Sequence, residues 1–416
     1  MPSSLKITDI RTAVIADAPM LCPIIRIDTN QDGLYGLGEV RDGATKNYAL
    51  MLKRLLIGED PRNVDKLFRK IKQFGHHGRQ GGGVCAVEMA LWDIAGKHYG
   101  VPVYQLLGGK FRDQIRCYAD TEMCDDPADT ARHLKERYDQ GFTFLKMDFT
   151  SIDHEAGTMK NLYGENVIPP GHNIDTLLQT EHSFTGIEIS EAGIQRAVEY
   201  IGEIRRILGD EISLSADHFG HIGVKSCIRL GKALEKFNLA WLEDLIPWHR
   251  LDQWKQITDA LHTPTCTGED IYLKEDFGEL CRRLAVDVIH PDLATSGGIL
   301  ETKKIGDIAQ DHGIPMALHF AGTPISCMAN VHCAAASENF FALENHSVDV
   351  EWWDDLVTGF DGKIIQNGYI TVPETPGLGV DINEEVFKEH LWSKDRGYFE
   401  PTTVWNSDRS WDRLWS

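Results

Sequence analysis

What this chain lacks narrows its function before any motif is considered. It contains no run of about 18 uncharged apolar residues, the least that a membrane-spanning helix needs. Its amino terminus, MPSSLKITDIRTAVIADAPML, has no continuous apolar centre behind a basic start, so it does not read as a secretory leader. Both absences predict a soluble, cytoplasmic protein with no membrane partner. The nine cysteines are odd in number and scattered, with no C-x-x-C, which argues against a disulfide framework or a zinc cage and for small buried thiols. Basic charge is also scarce: 42 Lys and Arg stand against 63 Asp and Glu, a formal net charge of −21, with no long basic run. A surface built to neutralise phosphate backbones is therefore not expected, and nucleic acid is excluded as a partner. An anionic small molecule is not excluded, because a metal ion or a few placed cations reverse the potential locally. No internal repeat of fixed period and no low-complexity segment is present.

What remains is ordinary globular composition, 42% hydrophobic and 25% charged over 416 residues. That length suits two or three domains, or a closed α/β barrel of about 250 residues with additions. Residues 5–30 hold two β-rich runs, LKITDIRTAVI and CPIIRIDTN, followed by the turn-forming DGLYGLGE, which suggests a small antiparallel sheet. Helical spacing follows from Asn47 to Phe74, and GGGVCAVEMALWDIAGKHYG reads as an Ala-rich apolar helix.

From about residue 114 the pattern changes to short apolar runs, each followed by a helical stretch. The runs are QIRCYAD, TFLKMDF, ISLSAD, LAWLED, PTCTGED, DVIHPD, PMALHF and FFALEN. Eight strand–helix units predict a (β/α) TIM-type barrel, whose reactive side chains sit at the carboxyl ends of the strands. The expected organisation is an α+β domain over residues 1–112, a barrel over 113–360 and a C-terminal segment over 361–416 that returns to the first domain through the hairpin-like GKIIQNGYITV. The aperiodic stretch at about 150–188 is too long for an ordinary connection and suits either a lid or a solvated insertion.

The strand ends carry the chemistry. Asp217, Glu243 and Glu269 end three successive runs at an even spacing of 26 residues. In a barrel this brings three carboxylates to one mouth, where they repel one another unless a hard divalent cation lies between them; Mg²⁺ is the expected ion. Lys146 ends the second run and His319 the seventh, placing candidate proton-transfer groups on opposite sides of the barrel.

These residues carry a resemblance. VEMALWDIAGK, PVYQLLGG, the Asp217–Glu243–Glu269 series, HPDLATSGGI and ALHF, in this order, resemble the mandelate racemase-like branch of the enolase superfamily along nearly the whole chain. The resemblance implies a capping domain made from both chain ends on a modified barrel, and Mg²⁺ on the three carboxylates. It also implies removal of a proton α to a metal-bound carboxylate and assembly as a homo-oligomer, which a tail containing Trp405, Trp411 and Trp415 would assist. It pairs His319 with Asp292, which fixes the imidazole tautomer and raises its pKa, and puts Glu344 where it can hydrogen-bond a substrate carboxylate. Leu21–Thr29 and the turn ending in Gly38 and Glu39 resemble the mobile capping loop, while His76, His77 and Arg79 lie on a Gly-rich loop suited to specificity. GGG there is not a nucleotide cradle, since no Lys-Ser/Thr or ribose-binding acid accompanies it.

Two positions depart from the branch. Its racemases carry Lys-x-Lys on the second strand, whereas this chain has Lys146, Met147 and Asp148. Strand alternation puts Asp148 on the side of Lys146, to stabilise its charge or to bind a sugar hydroxyl. Several sugar-acid dehydratases of the branch carry an acidic His two residues after the first metal ligand; here that place is Phe219, leaving His218 or His221 to expel a β-hydroxyl. The expected activity is Mg²⁺-dependent dehydration of an acid sugar, an aldonate or related polyhydroxy carboxylate, to a 2-keto-3-deoxy acid through an enediolate. The alternatives are a racemase, epimerase or cycloisomerase using the same intermediate, and a non-catalytic sugar-acid-binding protein.

Overall fold

The computed structural model describes residues 5–76, 78–153, 158–161, 189, 191–217, 219 and 222–406. By contact density the chain divides into two compact units: residues 1–116, 269–278 and 291–416 in the first, and residues 117–268 and 279–290 in the second.

The first unit opens with an antiparallel meander of β1 (Ile7–Ile15), β2 (Cys22–Thr29) and β3 (Tyr35–Glu39). The segment that resembles a mobile capping loop is therefore corrected. Cys22–Thr29 is the central strand, paired on both edges, because CPIIRIDT puts buried Ile24, Ile25 and Ile27 into the core. The apolar helix is also present, Gly82–Tyr99, ending at Gly100 in the left-handed conformation. It lies so close to β3 that a Cβ on Gly36 or Gly38 would strike the backbone at Ala90 or Ala86, which is why YGLGE alternates glycine on one face. The helix's two acids have structural work: Glu88 accepts from the backbone N–H of Ile299 and Leu300 at 2.6 and 2.9 Å, and Asp93 from Leu37 and Leu378 at 3.0 and 2.9 Å. Trp405 packs on this unit's apolar core rather than projecting as a free aromatic; Trp411 and Trp415 lie outside the described residues.

All eight apolar runs become strands: β4 (Gln114–Ala119), β5 (Phe144–Asp148), then, after the β6 (Thr150–Asp153) and β7 (Thr158–Asn161) hairpin, β8 (Ser213–Asp217), β9 (Leu242–Glu243), β10 (Thr265–Thr267), β11 (Val288–Ile289), β12 (Met316–Leu318) and β13 (Phe340–Asn345). Hydrogen bonding orders them β4-β5-β8-β9-β10-β11-β12-β13, and β13 pairs back to β4, closing an eight-stranded barrel. β5 is buried at every position, as parallel strands covered on both faces require. After β14 (Val357–Thr358), the chain reverses in a tight turn with an antiparallel bridge between Gln366 and Tyr369 and contributes β15 (Tyr369–Thr371), antiparallel to β4, while β16 (Asp381–Ile382) pairs with β14. Of the long insertion, only the β6–β7 strands fall within the described residues.

All nine cysteines are free and eight are buried. Among the described residues no helix is long and apolar enough to cross a membrane.

Candidate active site

In the second unit, parallel register sets the strand-end carboxylates. Ala216 pairs with Leu242 and Cys266 with Glu243, so Asp217 and Glu243 end neighbouring strands level with one another. Glu269, two residues past β10, belongs to the first unit. Lys146 is 1% exposed, with its ammonium 3.1 Å from Asp217 Oδ2, 3.5 Å from Glu243 Oε1 and 3.8 Å from Asp120 Oδ1. Asp148 is buried in register with Asp217.

This group fits a hard divalent cation by its donor chemistry: buried carboxylate oxygens drawn around one positive charge. Behind it, Glu243 is fully buried, accepting from Trp241 Nε1 at 2.7 Å through Oε2 and facing His290 Nδ1 at 2.7 Å through Oε1. His218 and His221 lie outside the described residues.

In the first unit, His319 follows β12 and bridges two acids. Its Nδ1 lies 2.6 Å from Asp292 Oδ2 and its Nε2 2.9 Å from Glu269 Oε2. Asp292 also caps the short helix Leu293–Ser296 through the Ala294 N–H at 2.6 Å, and this holds the carboxylate still. Glu344, fully buried near the end of β13, is 3.9 Å from His319 Nε2 and 3.3 Å from His346 Nε2.

Arg41, two residues past β3, is buried against these groups. It pairs with Asp292 through Nη1 and with Asp42 through Nε at 3.0 Å, and reaches Glu269 at 3.6 Å. Burial works against a charged His319 ring, but the Glu269 carboxylate overcomes it; Arg41 opposes, Glu344 and the Asp292 hydrogen bond assist, and the pKa stands well above the ordinary histidine value. Burial likewise works against ionised Asp292, yet Arg41 and then His319 hold its pKa below the usual aspartate value.

Sequence reasoning missed Arg41, His290 and His346. GEVRD reads as a polar turn, and only the run of buried positions from Leu37 to Asp42 shows that Arg41 turns inward. Alternation from Glu344 supplied a signal for His346. Arg79 does not stand open for a ligand: it donates to the Asp42 backbone carbonyl at 2.6 Å and pairs with the Asp42 carboxylate at 2.9 Å. His76 is exposed in a left-handed conformation, and His77 lies outside the described residues.

Residues 7–108 match the mandelate racemase / muconate lactonizing enzyme N-terminal domain, and residues 129–386 match the enolase C-terminal domain-like family. The chain is 33% identical to the D-xylonate dehydratase of Haloferax volcanii over 396 residues, 93% of this chain and 89% of that one. It is 28% identical to the arabinonate dehydratase of Saccharolobus solfataricus, over 90% of this chain and 92% of the other. A mandelate racemase/muconate lactonizing enzyme-like protein from Rubrobacter xylanophilus has a similar solved structure, with TM-score 0.84 at 31% identity, covering 96% of this chain and all of that one (100%). The 3,6-anhydro-D-galactonate cycloisomerase of Zobellia galactanivorans gives TM-score 0.75 at 26% identity, covering 93% and 100%. With both domains matched in order and the barrel closed, this chain belongs to the mandelate racemase / muconate lactonizing enzyme family of the enolase superfamily.

Proposed function

We propose that this protein is a hydro-lyase that dehydrates an acid sugar, an aldonate or related polyhydroxy carboxylate, to a 2-keto-3-deoxy acid with Mg²⁺ as cofactor. The observation that carries the reading is the buried Asp292–His319 pair at 2.6 Å, in a chain whose relatives include proteins named D-xylonate and arabinonate dehydratase. Asp217, Glu243 and Glu269 are the residues that would hold the ion. When bound, Mg²⁺ supplies positive charge that lowers the cost of negative charge developing on the substrate carboxylate.

The chain's own residues move the protons. His319 takes the proton from C2 at Nε2 while its Nδ1–H stays with Asp292; Lys146 does so for a substrate of the other configuration. Glu344 hydrogen-bonds the substrate carboxylate and Asp148 a hydroxyl, or steadies the Lys146 charge. His218 or His221 protonates the departing 3-hydroxyl, so that the C3–O bond breaks as water leaves. The resulting enol takes a proton at C3 and becomes the 2-keto acid. The partner is a small carboxylate, and the working form is a homo-oligomer.

A library of acid sugars, assayed with Mg²⁺ for 2-keto-acid formation and in D₂O for exchange at C2, tests this reading. Keto acid from at least one aldonate is the expected result. The structural likeness to a cycloisomerase favours one competing outcome, isomerisation of a sugar acid with exchange at C2 but no keto acid, and that result would overturn dehydration. Ligand binding with neither exchange nor turnover would make the protein a sugar-acid binder.

A further inference from the structure

Glu243 is anchored from behind by groups that do not reach the barrel mouth. His290, directly after β11, presents Nδ1 to Glu243 Oε1 at 2.7 Å, and its other ring nitrogen, Nε2, lies 2.6 Å from the Tyr118 hydroxyl of β4. Tyr118, Glu243 and His290 are all 0% exposed. Tyr118, Trp241 and Phe144 enclose them: Tyr118 meets Phe144 at 4.8 Å and Trp241 edge-on at 5.7 Å, and Trp241 lies 6.1 Å from the His290 ring. Three residues from three non-adjacent strands thus form one line across the interior of the second unit.

The two contacts of the line differ: His290 Nε2 and the Tyr118 hydroxyl are hydrogen-bonded at 2.6 Å, whereas His290 Nδ1 and Glu243 Oε1 lie 2.7 Å apart as a close ion-pair contact without the alignment of a hydrogen bond. Trp241 Nε1–H, which can only donate, takes the second Glu243 oxygen at 2.7 Å. With a buried donor on one oxygen and the imidazole held against the other, rotation of the carboxylate plane is restricted. A histidine that merely filled the barrel would need neither a hydroxyl on its far nitrogen nor a carboxylate on its near one.

We propose that His290 and Tyr118 are a positioning pair for Glu243: the Tyr118 hydroxyl fixes the His290 ring through Nε2, and the ring, with Nδ1 2.7 Å from Glu243 Oε1, holds this carboxylate in place for a divalent cation. The inference rests on the Mg²⁺ reading above. Groups that orient a metal ligand in this way typically contribute about 10–100-fold to metal affinity.

Titrating the substrate-free protein with Mn²⁺, and following the free ion by electron paramagnetic resonance, reads this without any turnover. His290→Leu removes the ring nitrogen beside Glu243 and should weaken Mn²⁺ binding by about 10–100-fold. His290→Asn returns a polar nitrogen near the position of Nδ1 and should recover most of that loss, although it cannot reach Tyr118. Tyr118→Phe should weaken binding by less than His290→Leu, since the ring remains but its tautomer is no longer fixed. A purely structural histidine would instead lower the thermal midpoint of the metal-free protein and leave the affinity of the folded protein unchanged. Wild-type affinity in folded His290→Leu overturns the inference alone. If that variant does not fold, equal loss in His290→Asn and none in Tyr118→Phe overturns it. Failure of the wild type to bind Mn²⁺ or Mg²⁺ at all overturns the metal reading and this inference with it.

Discussion

Lys146 in one compact unit and Arg41 in the other are both cations buried among carboxylates, but they are bound in different ways. Lys146 ends in a single ammonium on a flexible stem, facing three acids at 3.1, 3.5 and 3.8 Å. Arg41 spreads a planar guanidinium over Asp42, Asp292 and Glu269, one nitrogen to each. The chemistry differs accordingly. A lysine can give up its proton and move as a point charge, whereas an arginine stays charged and holds its partners in a fixed fork. On the proposed mechanism Lys146 exchanges a proton and His319 carries the proton chemistry of the other group, while Arg41 offsets the burial that works against an ionised Asp292.

The largest effects should come from cutting each group at its working residue. Glu243→Gln should lose Mg²⁺ affinity and turnover together while keeping the fold, read by calorimetric titration beside circular dichroism; full activity under thorough chelation would remove the metal. His319→Asn should keep metal affinity and lose about 10²–10⁴ in turnover, as expected of a positioned proton-transfer group. Asp292→Asn should lose less, since the ring remains and only its tautomer is disturbed. Near wild-type turnover in His319→Asn would move catalysis to Lys146.

A smaller and more discriminating pair is Arg41→Met against Lys146→Met. Removing one partner of a buried ion pair typically costs about 3–5 kcal/mol, because the other charge is left unpaired. Both variants should show a loss of that order in chelator, measured by denaturant unfolding. Adding Mg²⁺ should restore most of it in Lys146→Met, since a cation held by Asp217 and Glu243 replaces the missing charge. It should restore little in Arg41→Met, where Asp42 and Asp292 keep Arg79 and His319 but lose the buried guanidinium with no ion to replace it. Equal rescue of the two variants would remove the distinction between a replaceable and a fixed cation.

The barrel was legible because parallel strands buried on both faces leave a strong mark, an apolar run closed by a polar turn, and all eight such runs became strands. Asp217, Glu243, Glu269, Lys146 and His319 stood out for a related reason: charge at the end of an apolar run has few structural uses. Arg41 was hidden because a charged residue after a strand is ordinarily solvated, and nothing local to GEVRD says that Asp292, about 250 residues on, will meet it. His290 and Tyr118 were hidden by the opposite circumstance. Each sits in a run that already reads as strand, and their significance is a hydrogen bond between residues 172 positions apart. Cys22–Thr29 was drawn toward a loop by family likeness although its own apolar pattern reads as a strand.

The smallest expected effect sets a carboxyl that has a cation beside it against one that has none. Asp292 is held below the usual aspartate range once Arg41 and His319 have overcome burial. Glu88 is buried as deeply with no cationic partner, and burial, assisted by the nearby Glu301 carboxylate, pushes its carboxyl up to about 7 although Leu300, Ile299 and Trp92 donate to it. The two should therefore bend the stability–pH curve in opposite directions. For Asp292 the folded pKa is the lower one, so its contribution is present above about pH 4 and is lost as the pH falls through the folded value. For Glu88 the folded pKa is the higher one, so its contribution is complete below about pH 4.3 and is lost as the pH rises toward 7. Glu39, pushed up to about 8 by burial against the Thr323 hydrogen bonds, acts in the same direction as Glu88 and extends the window upward. The thermal midpoint of the metal-free protein should fall by a few degrees between pH 5 and pH 8. Glu88→Gln, which cannot ionise and keeps one accepting oxygen where the carboxylate had two, should lower the midpoint at every pH but flatten the part of that fall below pH 7 and leave the part above it. An unchanged slope in Glu88→Gln would mean that this carboxyl is already ionised in the folded protein, its three donors outweighing burial without any cation.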